Sequence, residues 1–381
     1  MNFLDNSLVV LSLVIAIGKL IGNIKILGIS FGVTWVLFTG ILFGHLGLKV
    51  DPDLLHFLKE FGLVLFVYSI GMQVGPGFFR SFRCGGMGLN CLALLVILSG
   101  VGMTLLIFRM TGISITTMVG VMSGAVTNTP GMGAAQQAFS DIAGVSAPDI
   151  ALGYAVAYPF GVIGCILAFI IIRKTLYRTS PSASAGTYQE STVAAQSVIH
   201  SDHPNLIPIF IGIALGAFLG SIPIPIPGIP QPVKLGMAGG PLIVSILISH
   251  FAPKTHATTS ANLMIREIGI SLFLSCVGLE AGEHFVDTLI GGGGLKWIFY
   301  GALITVVPVM IGGFVGRYLL KTDYNTLTGV ISGACTNPPA LAYAEEQDLE
   351  TENTSIGYAA VYPLAMFLRI LAAQILIVIL C

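Results

Sequence analysis

Charge is what this chain has least of. Aspartate, glutamate, lysine and arginine together make up 9% of 381 residues, against roughly 25% in an ordinary soluble domain. A water-soluble globule of this size could not cover its surface with so few charges. Disorder is excluded with it, because disordered chains are poor in apolar residues. A net charge of −1 leaves no basic footprint for nucleic acid. The six cysteines (Cys84, Cys91, Cys165, Cys276, Cys335, Cys381) form no C-x-x-C pair, which speaks against a disulfide framework or thiolate metal site. Seven scattered histidines give no H-E-x-x-H, and no Ser/His/Asp or Asp-rich grouping stands at membrane depth. An enzyme, a metal site and a cofactor are therefore not expected. A basic n-region is missing too, so MNFLDNSLVVLSLVIAIGKL reads as a retained first transmembrane helix.

What the chain has instead is apolar length. Hydrophobic residues make up 55% of it, and its mean hydropathy is +0.91. A window of about 19 residues picks out segments near 6–23, 27–46, 61–78, 87–108, 115–139 and 150–172, then near 205–222, 235–251, 267–284, 297–316, 325–345 and 355–380. Forty-seven glycines and 19 prolines accompany them, a composition that suits close packing of membrane helices or helices broken around a polar site. The Ser/Ala/Thr-rich stretch 179–203 has linker composition.

The two halves repeat one another. EFGLVLFVYSIGMQVG at 60–75 matches EIGISLFLSCVGLEAG at 267–282, and GVMSGAVTNTPGMGAAQQ at 120–137 matches GVISGACTNPPALAYAEE at 329–346. GYAVAYP at 153–159 matches GYAAVYP at 357–363, with a fainter echo between 18–26 and 216–224. Blocks in the same order mark a duplicated unit. The expected organisation is a first membrane repeat at 1–173, a cytoplasmic linker at 174–203 and a second membrane repeat at 204–381. Lys and Arg tallies place the linker in the cytoplasm whether 115–139 and 325–345 cross fully or dip and return. Locally, Lys25 after the first span, with no basic residue before it, favours an external N-terminus.

Two segments are odd in the same way. GAVTNTPGMG and GACTNPPALA each put Thr-Asn and proline in mid-segment. Proline removes a helical donor and unsettles its predecessor, and irregular backbone at membrane depth needs protein or a water-filled cavity around it. Each segment is expected to be a broken re-entrant hairpin. Thr129 would cap a half-helix opened by Pro130, and Asn337 one opened by Pro338. Free N–H groups and dipole ends of two such half-helices form an anion site without a formal charge. Ser123, Thr127, Asn128, Thr129, Pro130, Ser332, Thr336, Asn337 and Pro338 are the candidate substrate-binding residues; a packing kink is the bland alternative. Arg369, deep in the last span, is a counter-charge for a substrate carboxylate, the partner of Glu280 or Glu345, or a snorkelling cation. Gln73 and Glu280, repeat mates, are candidate cavity-lining residues. Glu60 and Glu267 read as helix-start carboxylates, and Lys19 as a snorkelling cation.

The paired T-N-[TP]-P blocks and the duplicated E-x-G-x-x-L-F unit resemble the bacterial aspartate:alanine exchanger family, over roughly 6–173 and 205–380. That resemblance implies an all-α polytopic membrane protein of two inverted repeats, each about five transmembrane helices plus one broken re-entrant hairpin, working in an elevator-like manner. It implies an inner-membrane antiporter for small amino acids or dicarboxylates such as aspartate, alanine and succinate, with no cofactor. A homodimer in the lipid bilayer is expected by analogy, with both termini outside. The family's usual regulatory domains in the central loop are missing here. A Na⁺- or H⁺-coupled symporter for the same substrates is the competing reading, since Thr and Asn oxygens also suit a cation. A channel fits less well, because no ring of charged side chains is visible.

Overall fold

A computed structural model describes residues 6–24, 32–78, 87–177, 206–223, 235–251, 260–283, 293–345 and 353–381. The polar stretch 179–203, with Lys25, Arg80, Arg83, Arg178, Lys234, Lys254 and Glu346, lies outside these described residues. The first half holds α1 (Ser7–Gly22), α2 (Thr34–His45), α3 (Pro52–Phe78), α4 (Met87–Thr111), α5 (Ile115–Ala125), α6 (Thr129–Ala143) and α7 (Pro148–Leu176). The second half holds α8 (Leu206–Ser221), α9 (Gly236–Phe251), α10 (Ser260–Gly282), α11 (Gly294–Tyr318), α12 (Tyr324–Ala334), α13 (Pro338–Glu345) and α14 (Asn353–Leu380). Helices are the only regular structure among the described residues. Six of them, α3, α4, α7 and their mates α10, α11, α14, are long and apolar enough to cross a bilayer. The protein is an all-α multi-pass membrane protein.

The mates α3 and α10 cross at Gly62 and Gly269, where a β-carbon on either would stand 2.8 Å from the other's carbonyl oxygen. Along this pair Lys59 meets Glu280, Gly62 meets Phe273, Gly269 meets Phe66 and Gln73 meets Arg266. Numbers rise on one helix as they fall on the other, so the mates run antiparallel. Equivalent helices of a duplicated chain are antiparallel only when the two repeats are inverted.

Packing sorts the helices into two bundles. The smaller comprises α1–α3 and α8–α10; the larger comprises α4–α7 and α11–α14. Contacts between them are sparser and come chiefly from α6 on α9, α14 on α3, and α7 on α10.

Both broken segments double back. The hydroxyls of Ser114, Thr116 and Thr117 all donate to Asp149, so α5 starts beside the start of α7. The five-residue step from the end of α6 to Pro148 reaches at most about 18 Å, whereas α5 and α6 laid end to end would run about 40 Å. Helix α6 must therefore return toward its origin. In the second half Ser355 donates to Glu345 at 2.6 Å, which brings the end of α13 to the start of α14.

Glycine makes this packing close. On α5, Gly120 and Gly124 lie against the carbonyls of Ile150 and Tyr154; on α12, Gly329 lies against that of Thr354. These are backbone neighbours and cannot swing aside. Gly329→Ala is expected to lower stability by about 1–3 kcal/mol, the usual penalty of overpacking. Gly102→Ala on α4, with open space around it, should cost nothing. Thermal unfolding of the two variants in detergent checks the contrast.

Candidate functional site

The two helix breaks meet. Helix α5 ends at Ala125 and α6 begins at Thr129, with Asn128 between them as the N-cap. Asn128 Oδ1 accepts from the Gly131 amide at 2.6 Å, and its main-chain oxygen accepts from Met132. Asn337 does the same for α13, accepting from the Ala340 amide at 3.0 Å. The capping residue is thus asparagine in both halves. Thr129 is not the cap expected from its place before Pro130: its hydroxyl faces Tyr154 Oη at 2.7 Å instead, because asparagine one residue earlier already reaches the third helical amide.

Thr127 and Thr336 precede these caps with φ of 52° and 49°. That left-handed region is unfavourable for β-branched residues, at a cost of about 1–3 kcal/mol each. Their hydroxyls hold the two breaks together. Thr127 Oγ1 donates to the Thr336 carbonyl at 2.9 Å, and Thr336 Oγ1 donates to the Val126 carbonyl at 3.0 Å. Asn128 Nδ2 donates to Thr336 Oγ1 at 3.1 Å, while Asn337 Nδ2 reaches the Gly161 carbonyl at 3.2 Å. Each hairpin tip is hydrogen-bonded to the other.

This arrangement uses up most of the amides expected to be free. The third amide of each half-helix is taken by its asparagine, and Pro338 and Pro339 have none to offer. Helix dipoles remain, but the spare donors are side chains. Ser123 Oγ, Ser332 Oγ and Arg369 Nη2 are buried without a hydrogen-bond partner among the described residues. Ser123, Thr127, Asn128, Thr129, Pro130, Ser332, Thr336 and Asn337 are all buried, whereas Pro338 is exposed.

Arg369 on α14 is only 3% exposed. Its Nε donates to the Ala334 carbonyl at 2.7 Å, the last residue of α12. A cation therefore stands at the negative end of a half-helix. The suggested partners lie elsewhere: Glu280 pairs with Lys59 at 2.7 Å, and Glu345 accepts from Ser355. Among the described residues Arg369 makes no salt bridge.

Between the bundles lies a cavity of about 610 Å³. Its walls include Lys59, Glu60 and Leu63 of α3, Phe273 and Glu280 of α10, and Gly133, Gln136, Gln137 and Ser140 of α6. Its rim is made by 47–50, the 144–147 turn and Glu283. Leu63 and the Phe273 ring close on Gly133, which is five residues beyond Asn128, about 7.5 Å along the helix. Glu280 lines this cavity. Gln73 does not; it pairs with Arg266 at 3.0 Å at the other end of the α3–α10 crossing, because inversion sends mates to opposite ends.

Glu60 and Glu267 are not in first helical turns, since α3 and α10 begin earlier, at Pro52 and Ser260. Glu60 faces His56 at 3.6 Å, and Glu267 pairs with Lys19 of α1 and with Arg266. The Lys19–Glu267 pair joins residues 248 apart in sequence, which no local spacing announces, whereas His56 and Glu60 stand one helical turn apart.

The inverted repeats, the two facing breaks and the inter-bundle cavity can be set beside known proteins. The Asp-Al_Ex family, described as a predicted permease membrane region, matches residues 10–174 and 208–378. The chain belongs to the Asp-Al_Ex family. An uncharacterized transporter of Bacteroides fragilis is 42% identical over 539 aligned positions, covering 98% of this chain and 96% of that protein. An uncharacterized transporter of Bacteroides thetaiotaomicron is 35% identical, with 98% of each chain covered. A putative transport protein of Yersinia enterocolitica is 33% identical, with 97% of each covered. These alignments are longer than the 381-residue chain, so such Asp-Al_Ex relatives carry residues with no counterpart here. The two matched stretches flank the polar segment after α7. Transport, not enzymatic turnover, is the activity to which this kinship points.

Proposed function

We propose that this protein is a secondary antiporter exchanging small amino acids or dicarboxylates across the bacterial inner membrane by alternating access. The reading rests on one observation above others: two interlocked hairpin tips belong to one bundle, and a cavity lies between that bundle and the other. In this proposal each hairpin is re-entrant and returns to the face it entered. The face carrying the hairpin-1 base and both termini is external, and the linker is cytoplasmic. Substrate enters the cavity and passes Leu63 and Phe273. Its carboxylate is then taken by the unused donors of Ser123, Ser332 and Arg369 under the positive potential of two helix starts. The larger bundle then moves against α3 and α10, elevator-fashion.

Proteoliposomes test the proposal. Vesicles loaded with alanine or succinate should take up labelled substrate, and empty vesicles should not. Uptake into empty vesicles driven by a Na⁺ gradient alone would replace exchange by symport.

Arg369 gives a second test. Arg369→Gln is expected to reduce dicarboxylate exchange more than exchange of a neutral amino acid, because the missing charge faces one carboxylate more. Equal loss for both would restrict Arg369 to its bond with the Ala334 carbonyl. Counterflow rates with labelled succinate and alanine decide.

A further inference from the structure

Three side chains on the cavity wall have repeat mates of the same chemistry in a different order. Lys59 of α3 corresponds to Arg266 of α10, Glu280 of α10 to Gln73 of α3, and Gln136 of α6 to Glu345 of α13. Grouped by the end of the α3–α10 crossing at which they stand, each trio has one cation, one carboxylate and one carboxamide. In the Lys59 trio the carboxylate is on the crossing helix and the carboxamide on the hairpin; in the Arg266 trio they have changed places. Cation and crossing-helix partner touch in both trios, Lys59 to Glu280 at 2.7 Å and Arg266 to Gln73 at 3.0 Å. The third member lines the same cavity as Lys59 and Glu280 in the first trio, where it is Gln136; in the second, Glu345 holds the matched position at the end of the other hairpin, where it accepts from Ser355.

One atom indicates what the first trio lacks. Gln136 is 7% exposed, and its Oε1 is buried without a hydrogen-bond partner among the described residues. A buried acceptor left unmade is unfavourable, and a ligand that brings a donor relieves it. A dicarboxylate brings none at neutral pH. An ammonium group brings three, enough to reach both Gln136 Oε1 and the Glu280 carboxylate, and it frees Lys59 for the ligand's own carboxylate.

We propose that the two trios are matched receiving stations for a small zwitterionic amino acid, one for each face of the membrane. The ammonium is held between carboxylate and carboxamide, and the ligand carboxylate by Lys59 or Arg266. In the first station the Lys59–Glu280 ion pair is thereby replaced by two protein–ligand pairs; in the second the ligand bridges Arg266 and Glu345, and neither station gains net charge. An inverted carrier must receive the same ligand at both faces, so the set of groups persists although their positions have been exchanged. This deepens the exchange reading above and rests on it for the role of the cavity.

The exchanged order supplies the test. Glu280→Gln should weaken alanine binding and exchange by about thirtyfold or more, the scale of losing one partner of a desolvated charge pair. Adding Gln136→Glu to it rebuilds in the first station the order of the second, and should restore both to near the parent level. Gln73→Glu with Glu345→Gln should rescue the loss caused by Glu345→Gln in the same way, an independent arm should the first single variant fail to fold. Calorimetry with alanine in detergent reads binding, and proteoliposome counterflow reads exchange. Unchanged binding in both single variants, or a double variant no better than its single in both arms, overturns the stations. A parent protein that does not bind alanine also overturns them. Binding that follows the predicted loss and rescue without any counterflow would keep the stations and sink the exchange reading.

Discussion

Joining Leu63 to Gly133 should stop exchange completely, and unlinking them should restore it. With the native cysteines replaced by serine or alanine, Leu63→Cys on α3 and Gly133→Cys on α6 put one thiol on each bundle. A β-carbon at Gly133 points at the Leu63 methyls and the Phe273 ring, so shortening Leu63 removes the nearest obstruction. A short bifunctional thiol reagent cleavable by reductant then spans the floor of the cavity. If the larger bundle moves against α3 and α10, turnover requires these positions to part, and the link holds them. Counterflow should fall to the level of empty vesicles and return after reduction, while in either single variant the reagent changes nothing relative to the same variant untreated. Undiminished exchange with the link in place would mean that the two bundles do not part here.

The second large effect is expected from the capping asparagines. Asn128→Ala and Asn337→Ala should each abolish exchange while the protein still elutes as a folded species in detergent. Loss of an N-cap costs about 0.5–2 kcal/mol, which helices packed as closely as α5 on α7 can absorb. Function is more exposed to the change. Asn128 joins its own Gly131 amide to Thr336 of the opposite tip, and Asn337 joins Ala340 to Gly161 of α7. Alanine releases both connections at once, and the half-helix start loses its orientation toward the substrate path. Size-exclusion profile and counterflow, measured on the same preparation, separate the two outcomes. Normal exchange in both variants would remove the tips from the transport cycle.

Much of this architecture was legible because the chain was written twice. A lone T-N-x-P could have been a packing kink; two copies at matched positions placed both breaks correctly. The cap was misread in the first copy because Thr129 stands before Pro130, although the second copy already pointed to asparagine. Pairing was harder. Lys59 finds Glu280 and Lys19 finds Glu267 only after the helices cross, and no local periodicity encodes that. Gln73 and Glu280 were assigned to one cavity as mates, yet inversion is the reason they lie far apart. The cavity depends on how far two bundles stand from one another, a quantity that composition and hydropathy do not carry. The partner of Arg369 proved to be a carbonyl, not a carboxylate. Main-chain groups exposed by a helix break are invisible to a search among charged side chains.

The reciprocal threonine bonds at the tips have a consequence for leakage. Thr127 is tied to the backbone of the second hairpin and Thr336 to that of the first, so the hairpins are one mechanical piece and not two independent doors. Two doors can stand open together by accident and let solutes run down their gradients. A single piece can only be in one place at a time. Within the proposed cycle, tight coupling then follows from connectivity, without any need for one gate to sense the state of the other.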